Sequence, residues 1–543
     1  MRPTFMGLET AKRGIMVNQK AIDIVGNNIS NVNTKGYTRQ RLDSVSVNVY
    51  GSSQFNYSSI PLAGQGVDAK GVAQIRNPYL DAKFREQYSD VGYFDQKAAI
   101  LDQIEGIISD PEVEGTGIKS ALTALSQSLA DFSQNPYQET NANIVMHAFK
   151  AVTQVLNEYD ANLQTLMEQT KNDFSIAVQD INTKLNQLSE LNKSIAHEIF
   201  ANSDYDGVNY GPNDLLDQRN TILDDLSRYG SVQVTNLDGG GVQVKFNGKV
   251  VVDVSGASYT NDQLMIGSDG TSLTWNSNGK TANLGSGAIK GFTDMLTGND
   301  SIMSGIPYYQ NQLDNFAKTL ADVFNNKVHA DDPDFPDKYK ELLSGDGNGN
   351  ITAGNISISD KWAEDSSYII RDKNPDGDLD NTDILDMKAA LEQDFNFDGG
   401  FSGTFSEFIT KTTNTLGSEI KTNSARACLK IAFRQMCVPL CGKSGPDEGG
   451  VAGYVDRIGA RFAAKWGVQM AGMNFQTRPR MQASLSIAES VESERMGVSG
   501  VSLNEEGINM MTYNKAYQAL GRLMTTMDEQ LDMIINKMGM VGR

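Results

Sequence analysis

Histidine and cysteine are nearly absent: the chain has three of each in 543 residues. His147, His197 and His329 are remote from one another, and His197-Glu198 opens like a zinc-protease helix without a second histidine at the required spacing. No histidine-based metal or catalytic constellation follows from such a set. Cys428, Cys437 and Cys441 crowd into one short stretch, which is not a disulfide framework. That stretch contains "CVPLCGKS", which mimics a phosphate-binding loop, but Cys437 replaces the first required glycine and no suitable strand precedes it, which excludes nucleotide binding there. Also missing is any run of the ~20 apolar residues that span a bilayer. The start, "MRPTFMGLETAKRGIMVNQ", is too polar for a secretory signal. By these rules alone the chain reads as cytoplasmic, without membrane insertion. Basic residues are in deficit, 47 against 67 acidic ones, and the net charge of −20 disfavours nucleic acid or anionic lipid as a partner. Other proteins are the expected partners.

What the chain does have is two patterned ends. A 39% apolar content at this length supports about three or four folded units. Near the start a heptad seam reads Leu8, Ala11, Ile15, Asn18, Ile22, Val25, Ile29, Val32, apolar except at Asn18. A lone polar residue in such a seam is a device for fixing register or partner number. Near the end the seam reads Met510, Tyr513, Tyr517, Leu520, Met524, Met527, Leu531, Ile534, Met538, without interruption. Nine apolar residues in nine positions arise by chance roughly twice in ten thousand for one frame, so the periodicity is a signal. A helix of that length, about 45 Å, needs the first helix or other subunits to cover it. An ordinary antiparallel pair of terminal helices gives the same seams. Methionine in the second seam suits a surface that meets more than one neighbour.

Between the ends, residues 40–76 read as irregular extended chain. Helical periodicity runs from about Asn77 to Ile108 and across 117–201, interrupted near Asn135 and Pro136. From 231 to 275 the pattern alternates, with Val232 and Val234, then "DGGG", then Val242, Val244 and Phe246, a hairpin signature. Helix returns at 305–329 and at about 403–426, around a mixed segment. The fold class expected is multidomain α+β. Terminal coiled-coil helices (1–39 plus 503–543) form a rod, 40–230 plus 403–502 a helical body, and 231–402 a β-containing outer region.

The stretch "NNISNVNTKGYTRQ" follows the first seam. Its amides can satisfy helix-end carbonyls and turn groups, and Gly36 allows a positive φ as the chain leaves the helix. With Asn27, Asn28, Asn31, Thr34, Gly36 and Tyr37 it resembles the N-terminal motif of the flagellar rod and hook axial proteins. "PNDLLDQRNTILDDLS" (212–227), "ITAGNISIS" (351–359) and "VSGVSLNEEGINMMTYNKAYQALGRLMTTMDEQLDMII" (498–535) resemble the junction proteins of that family. The resemblance implies a structural protein, not an enzyme, placed outside the cell on the flagellum. It implies export, unfolded, through the flagellar type III channel without a cleaved signal. It also implies terminal helices that order on assembly in a helical ring of about eleven subunits. The implied partners are the hook protein, a second junction protein, further copies of the chain and an export chaperone on the C-terminal helix.

Two stretches stand outside that pattern. "DKNPDGDLDNTD" sets Asp372, Asn374, Asp376, Asp378, Asp380 and Asp383 at alternate ligand positions of an EF-type calcium loop, with Gly377 at the turn. Position 12 is aspartate instead of a bidentate glutamate, and "SSYII" upstream reads as strand. The other reading is a polar turn in which Asp383 caps the helix that follows. No cofactor is required, and calcium is the one ion the spacing admits. Residues 427–480 carry every cysteine and a net charge of +5 within a chain of −20. They read as an inserted surface module, an insertion without fold, or an error in the gene reading. Calcium loop and insert together leave a second function class open, a flagellum-borne module that binds an extracellular ligand.

Overall fold

The computed structural model describes residues 6–47, 66–108, 117–201, 212–237, 240–255, 258–299, 304–330, 338–346, 350–371, 380–397, 401–409, 412, 490–491 and 493–537. Helix α1 is Met6–Ser30, followed by strands β1, Gln40–Ser46, and β2, Val67–Gln74. Next come α2, Pro78–Ile108, α3, Gly117–Gln134, α4, Glu139–Ala201, and α5, Asn213–Ser227. Strands β3 (Val232–Asn236), β4 (Val242–Phe246), β5 (Lys249–Ser255) and β6 (Ser258–Asn261) form one antiparallel sheet. Strands β7 (Leu264–Ile266) and β8 (Leu273–Trp275) pair separately. Helices α6 (Ala288–Thr297), α7 (Ile306–Phe324), α8 (Asp360–Glu364) and α9 (Thr382–Glu392) follow, and helix α10, Leu503–Asp532, is prolonged by a π-helical turn at Met533–Lys537. The chain is thus mainly helical with small antiparallel sheets.

Helix breaks and turns sit where the local chemistry puts them. Pro136 cannot donate a backbone hydrogen bond, and the break between α3 and α4 falls at 135–138. The hairpin between β4 and β5 turns on Asn247 (φ 48) and Gly248 (φ 82), the two left-handed residues that a type I′ turn requires. Residues 40–76 differ from the irregular chain expected. β1 and β2 pair antiparallel from Gln40 opposite Gln74 to Ser46 opposite Val67, with a register shift between Asp43 and Ser44. That bulge interrupts the alternation by which a strand is recognised. "SSYII" is a 3-10 turn at Ser366–Ile369 and not a strand.

The chain divides into two compact units, one of Met1–Ser89, Ile181–Gln263 and Leu429–Arg543, the other of Asp90–Asp180 and Leu264–Cys428. The second has an aromatic core. Phe149 meets Phe324 edge-on at 4.9 Å and Trp362 at 5.3 Å, and Phe397 stacks on Phe408 at 4.3 Å. "ITAGNISIS" is tied to α4 and α7 in this unit. Asn157 donates to the Ile356 carbonyl at 2.9 Å, and Ala353 N donates to Asp314 Oδ1 at 2.8 Å. A methyl group on Gly354 would stand 2.2 Å from Asp160 Oδ2, so only glycine fits.

Burial pushes the Asp160 carboxyl up, and burial together with the charge of Asp160 does the same to Asp314. From the ordinary carboxylate range up to the raised values, the native state holds protons that the unfolded chain has lost. Stability from these groups therefore falls as pH rises through that window. Asp160→Asn keeps an acceptor for Gln164. It should melt higher than the parent at pH 7, where the parent must carry the charge in a buried place. Calorimetry at pH 3 should show no difference; an equal gain at both pH values contradicts the assignment.

Candidate functional site

Helices α1 and α10 pack antiparallel: Gly7 lies against Met527, Gly14 against Leu520 and Asn28 against Glu506. A methyl group on Gly14 would stand 2.8 Å from Leu520 Cδ1, which shows how closely the helices approach. Ala11, Gly14, Ala21, Val25 and Asn28, all in one heptad phase, are buried. The contact stripe on α1 is therefore shifted by one residue from the apolar seam read from the sequence. Leu8, Ile15, Ile22 and Ile29 are only half-buried along its flank, and of that seam Ala11, Asn18 and Val25 share the contact phase. Small residues win because they let two backbones approach, whereas a hydrophobicity ranking favours the large ones. Asn18 donates to the Gly14 carbonyl of its own helix at 2.7 Å, so this bond supplies no cross-helix register. On α10, Met510, Tyr513, Leu520, Met524, Met527 and Leu531 are half-buried while Tyr517 and Ile534 are exposed. Met538 lies outside the described residues.

Register comes instead from the polar stretch that ends α1 and follows it. Asn28 is 1% exposed. Its Oδ1 accepts from Tyr37 OH (2.8 Å) and Gln40 N (3.0 Å), and its Nδ2 donates to the Gln40 carbonyl (2.9 Å) and Glu506 Oε2 (3.2 Å). Asn27 Nδ2 donates to Tyr37 OH at 3.2 Å. Asn31 Nδ2 donates to the Asn27 carbonyl at 3.0 Å, and Thr34 Oγ1 donates to Asn31 Oδ1 at 3.0 Å. Gly36 takes the positive φ expected, 83°, and a Cβ there would stand 2.4 Å from Thr221 Oγ1. Burial, then the negative charges of Asp217, Asp214 and Glu506, push the Tyr37 hydroxyl up to about 12, so it remains a donor.

Arg39 extends this clamp. Its Nε donates to Glu506 Oε1 (2.7 Å) and its Nη1 to Glu505 Oε2 (2.6 Å), while its backbone N–H donates to the Ser499 carbonyl (3.0 Å). Ser502 caps α10, its hydroxyl accepting from Glu505 N. On the other side, Thr38 donates through N and Oγ1 to Asp217 at 3.1 and 2.5 Å, and Gln74 joins Asp217 at 2.9 Å. Arg76 donates to Thr38 Oγ1 at 3.1 Å and pairs with Asp81 at 2.6 Å. Asp224 takes Arg85 at 2.8 Å and Arg495 at 2.5 Å, and Arg495 lies 4.2 Å from the centre of the Phe84 ring. Burial pushes Asp224 up, but the guanidiniums of Arg495, Arg85 and Arg76 outweigh it and hold the carboxyl below its usual range. Three of the quoted stretches thus meet in one unit. The arginines that join them, Arg39, Arg76, Arg85 and Arg495, carry no local sequence signal.

The calcium loop is described only in part. Asp372, Asn374, Asp376 and Asp378 lie outside the described residues. Asp380 accepts from Thr382 N and from Arg371 Nη1, each at 3.1 Å. Asp383 is not the cap of α9, a position held by Asn381. Its buried carboxylate accepts the His329 N–H at 3.0 Å, sits 2.8 Å from His329 Nδ1 and lies 3.5 Å from Arg371 Nη1. Among the described residues no group of three or more His, Cys, Asp or Glu is placed to hold a metal ion, and no helix is long and apolar enough to cross a membrane. Residues 427–480 lie outside the described residues.

Asp224→Asn leaves Arg85 without its carboxylate partner and Arg495 with Asp81 alone. Removal of one partner from a buried ion network should cost about 3 kcal/mol or more in urea unfolding at pH 7. A depressed carboxyl stabilises at neutral pH, and that contribution is lost as pH falls through its folded value. The deficit of Asp224→Asn should therefore shrink steadily on acidification below pH 4. A deficit that stays constant with pH contradicts the charge account.

A family profile described as "Flagellar hook-associated protein FlgK helical domain" matches residues 101–338. "Flagella basal body rod protein" matches 8–38 and "Flagellar basal body rod FlgEFG protein C-terminal" matches 492–537, the segments that include Asn28 and Glu506. Residues 429–487 match a separate family of unknown function. The chain is 28% identical over 578 aligned positions to flagellar hook-associated protein 1 of Bacillus subtilis, covering 100% of both. Its identity to the Salmonella typhimurium protein of that name is 25%, over 42% of this chain and 39% of that one. The Escherichia coli K12 protein is 24% identical over 43% and 40%. A solved structure, the flagellar hook junction protein FlgK from Burkholderia pseudomallei, aligns with a TM-score of 0.37 at 19% identity over 49% of this chain and 46% of that one. The chain is similar along its whole length to flagellar hook-associated protein 1 and carries the matched segments of that family and of the basal body rod proteins, structural and not enzymatic components of the bacterial flagellum.

Proposed function

We propose that the chain is the subunit that joins hook to filament, and that it assembles by mutual coverage of its terminal helices. The observation that carries this reading is the incomplete burial of the α1 and α10 pair. Their contact leaves Leu8, Ile15, Ile22 and Ile29 half-open on one helix, and on the other Ile508 is 60%, Met511 60% and Ile535 67% exposed. Apolar rows on both helices of an exposed pair mark an interaction surface. Coverage by neighbouring copies in a helical ring of about eleven subunits stabilises them, and ordering and polymerisation become one event.

The same exposure requires protection before assembly. We assign that role to an export chaperone on the C-terminal helix, with passage unfolded through the flagellar type III channel. The hook protein lies on one side of the ring and the second junction protein on the other. Removal of residues 1–35 or 508–543 should leave a soluble chain that forms no junction and supports no filament, as scored by electron microscopy of complemented cells. Filaments that form on either truncated chain contradict the reading.

A further inference from the structure

Among the described residues of the clamp-bearing unit, a buried cation on α5 has no ion-pair partner. Arg219, on α5, is 8% exposed. Its Nη1 donates to the Gly240 carbonyl at 2.8 Å and approaches Asn192 Oδ1 at 3.5 Å, and its Nε has no partner. Two buried or half-buried aspartates of the same helix are engaged elsewhere, Asp217 with Thr38 and Gln74, Asp224 with Arg85 and Arg495. Among the described residues Arg219 makes no ion pair.

Arg219 lines a pocket of about 200 Å³ together with Arg76, Arg85, Asp81 and Asn220, against the apolar side chains of β3 and β4. Asp81 is the carboxylate in that lining, and it is neutralised by Arg76 at 2.6 Å and Arg495 at 3.0 Å. Arg76, Arg85, Arg219 and Arg495 stand against Asp81, Asp224 and Asp217, the last of which also faces Arg76, an excess of one positive charge in a chain of −20. Burial, then the charges of Arg85 and Arg76, bring Arg219 down to about 10, which leaves it charged at neutral pH. A buried guanidinium beside two others is unfavourable unless an anion compensates it.

We propose that this pocket is an oxyanion site: it takes one small, doubly charged oxyanion of the phosphate or sulfate type, held by the Arg219 guanidinium with Arg85 and Arg76 supplying the field. A planar fork of donors is the group that recognises such anions. The cavity is large enough for a tetrahedral oxyanion and closes against α5, β3 and β4. Occupancy therefore stabilises the unit that holds both chain ends.

The test uses the full chain. Inorganic phosphate or sulfate replaces chloride at fixed ionic strength while thermal unfolding is followed, and phosphate bound at equilibrium is counted by dialysis. A saturable rise in Tm with one phosphate per chain is expected, abolished in Arg219→Met. In Arg219→Lys, which keeps the charge but not the fork, binding should weaken at least about tenfold. A parent chain without a phosphate-specific response, or an equal response in Arg219→Met, overturns the proposal. Where Arg219→Met does not fold, anomalous scattering from crystals of the parent chain grown with selenate decides. Density in this pocket supports the site, and density only elsewhere overturns it.

Discussion

A carboxylate buried at the first turn of the last helix governs how the two ends of the chain meet. Glu506, 1% exposed, must be compensated, and the groups that compensate it come from the other terminus: Arg39 Nε at 2.7 Å and Asn28 Nδ2 at 3.2 Å. A buried charge whose partners lie 467 and 478 residues away leaves the helices little freedom to slide. Asn28 has both oxygen lone-pair directions and both amide hydrogens engaged, so it serves as a rigid connector between Tyr37, Gln40 and Glu506. Heptad packing alone tolerates a slip of seven residues; this polar contact does not.

The rest of the unit is arranged around that fixed point. Gly36 turns the chain so that Thr38 reaches Asp217 and Arg39 reaches Glu506 in opposite directions. Arg76, Arg85 and Arg495 then bind the start of α2 and the approach to α10 to α5 through Asp81 and Asp224. The helices beyond the clamp are held more loosely. Gly7, Ala11 and Gly14 let them approach, and small residues bury little area per turn. The pair is therefore strongly specified at its clamped end and weakly stabilised along its length, which suits helices that gain most of their burial from neighbours.

Much of this was legible in the sequence. The two heptad patterns, the α3–α4 break at Pro136 and the alternation of β3 and β4 follow from periodicity and turn chemistry, and the axial motif pointed to the polar stretch that forms the clamp. The choice between two stripes on α1 was not legible, because hydrophobicity favours Ile15 and Ile22 whereas close helix packing favours Gly14 and Ala21. The bulge between Asp43 and Ser44 hid a hairpin. Arg39, Arg76, Arg85 and Arg495 are scattered along the chain, and no local pattern reveals that Asp81, Asp224 and Glu506 will be buried beside them. Long-range charge compensation has no period.

The central claim is that the Arg39–Glu506 contact holds the terminal helices in register. A double-mutant cycle with Arg39→Met and Glu506→Gln, read by urea unfolding of the full chain, measures it most directly. The account predicts a coupling of about 1.5–3 kcal/mol between the two positions, as expected for a buried, charge-assisted hydrogen bond. Additive single effects, with a coupling near zero, would contradict it.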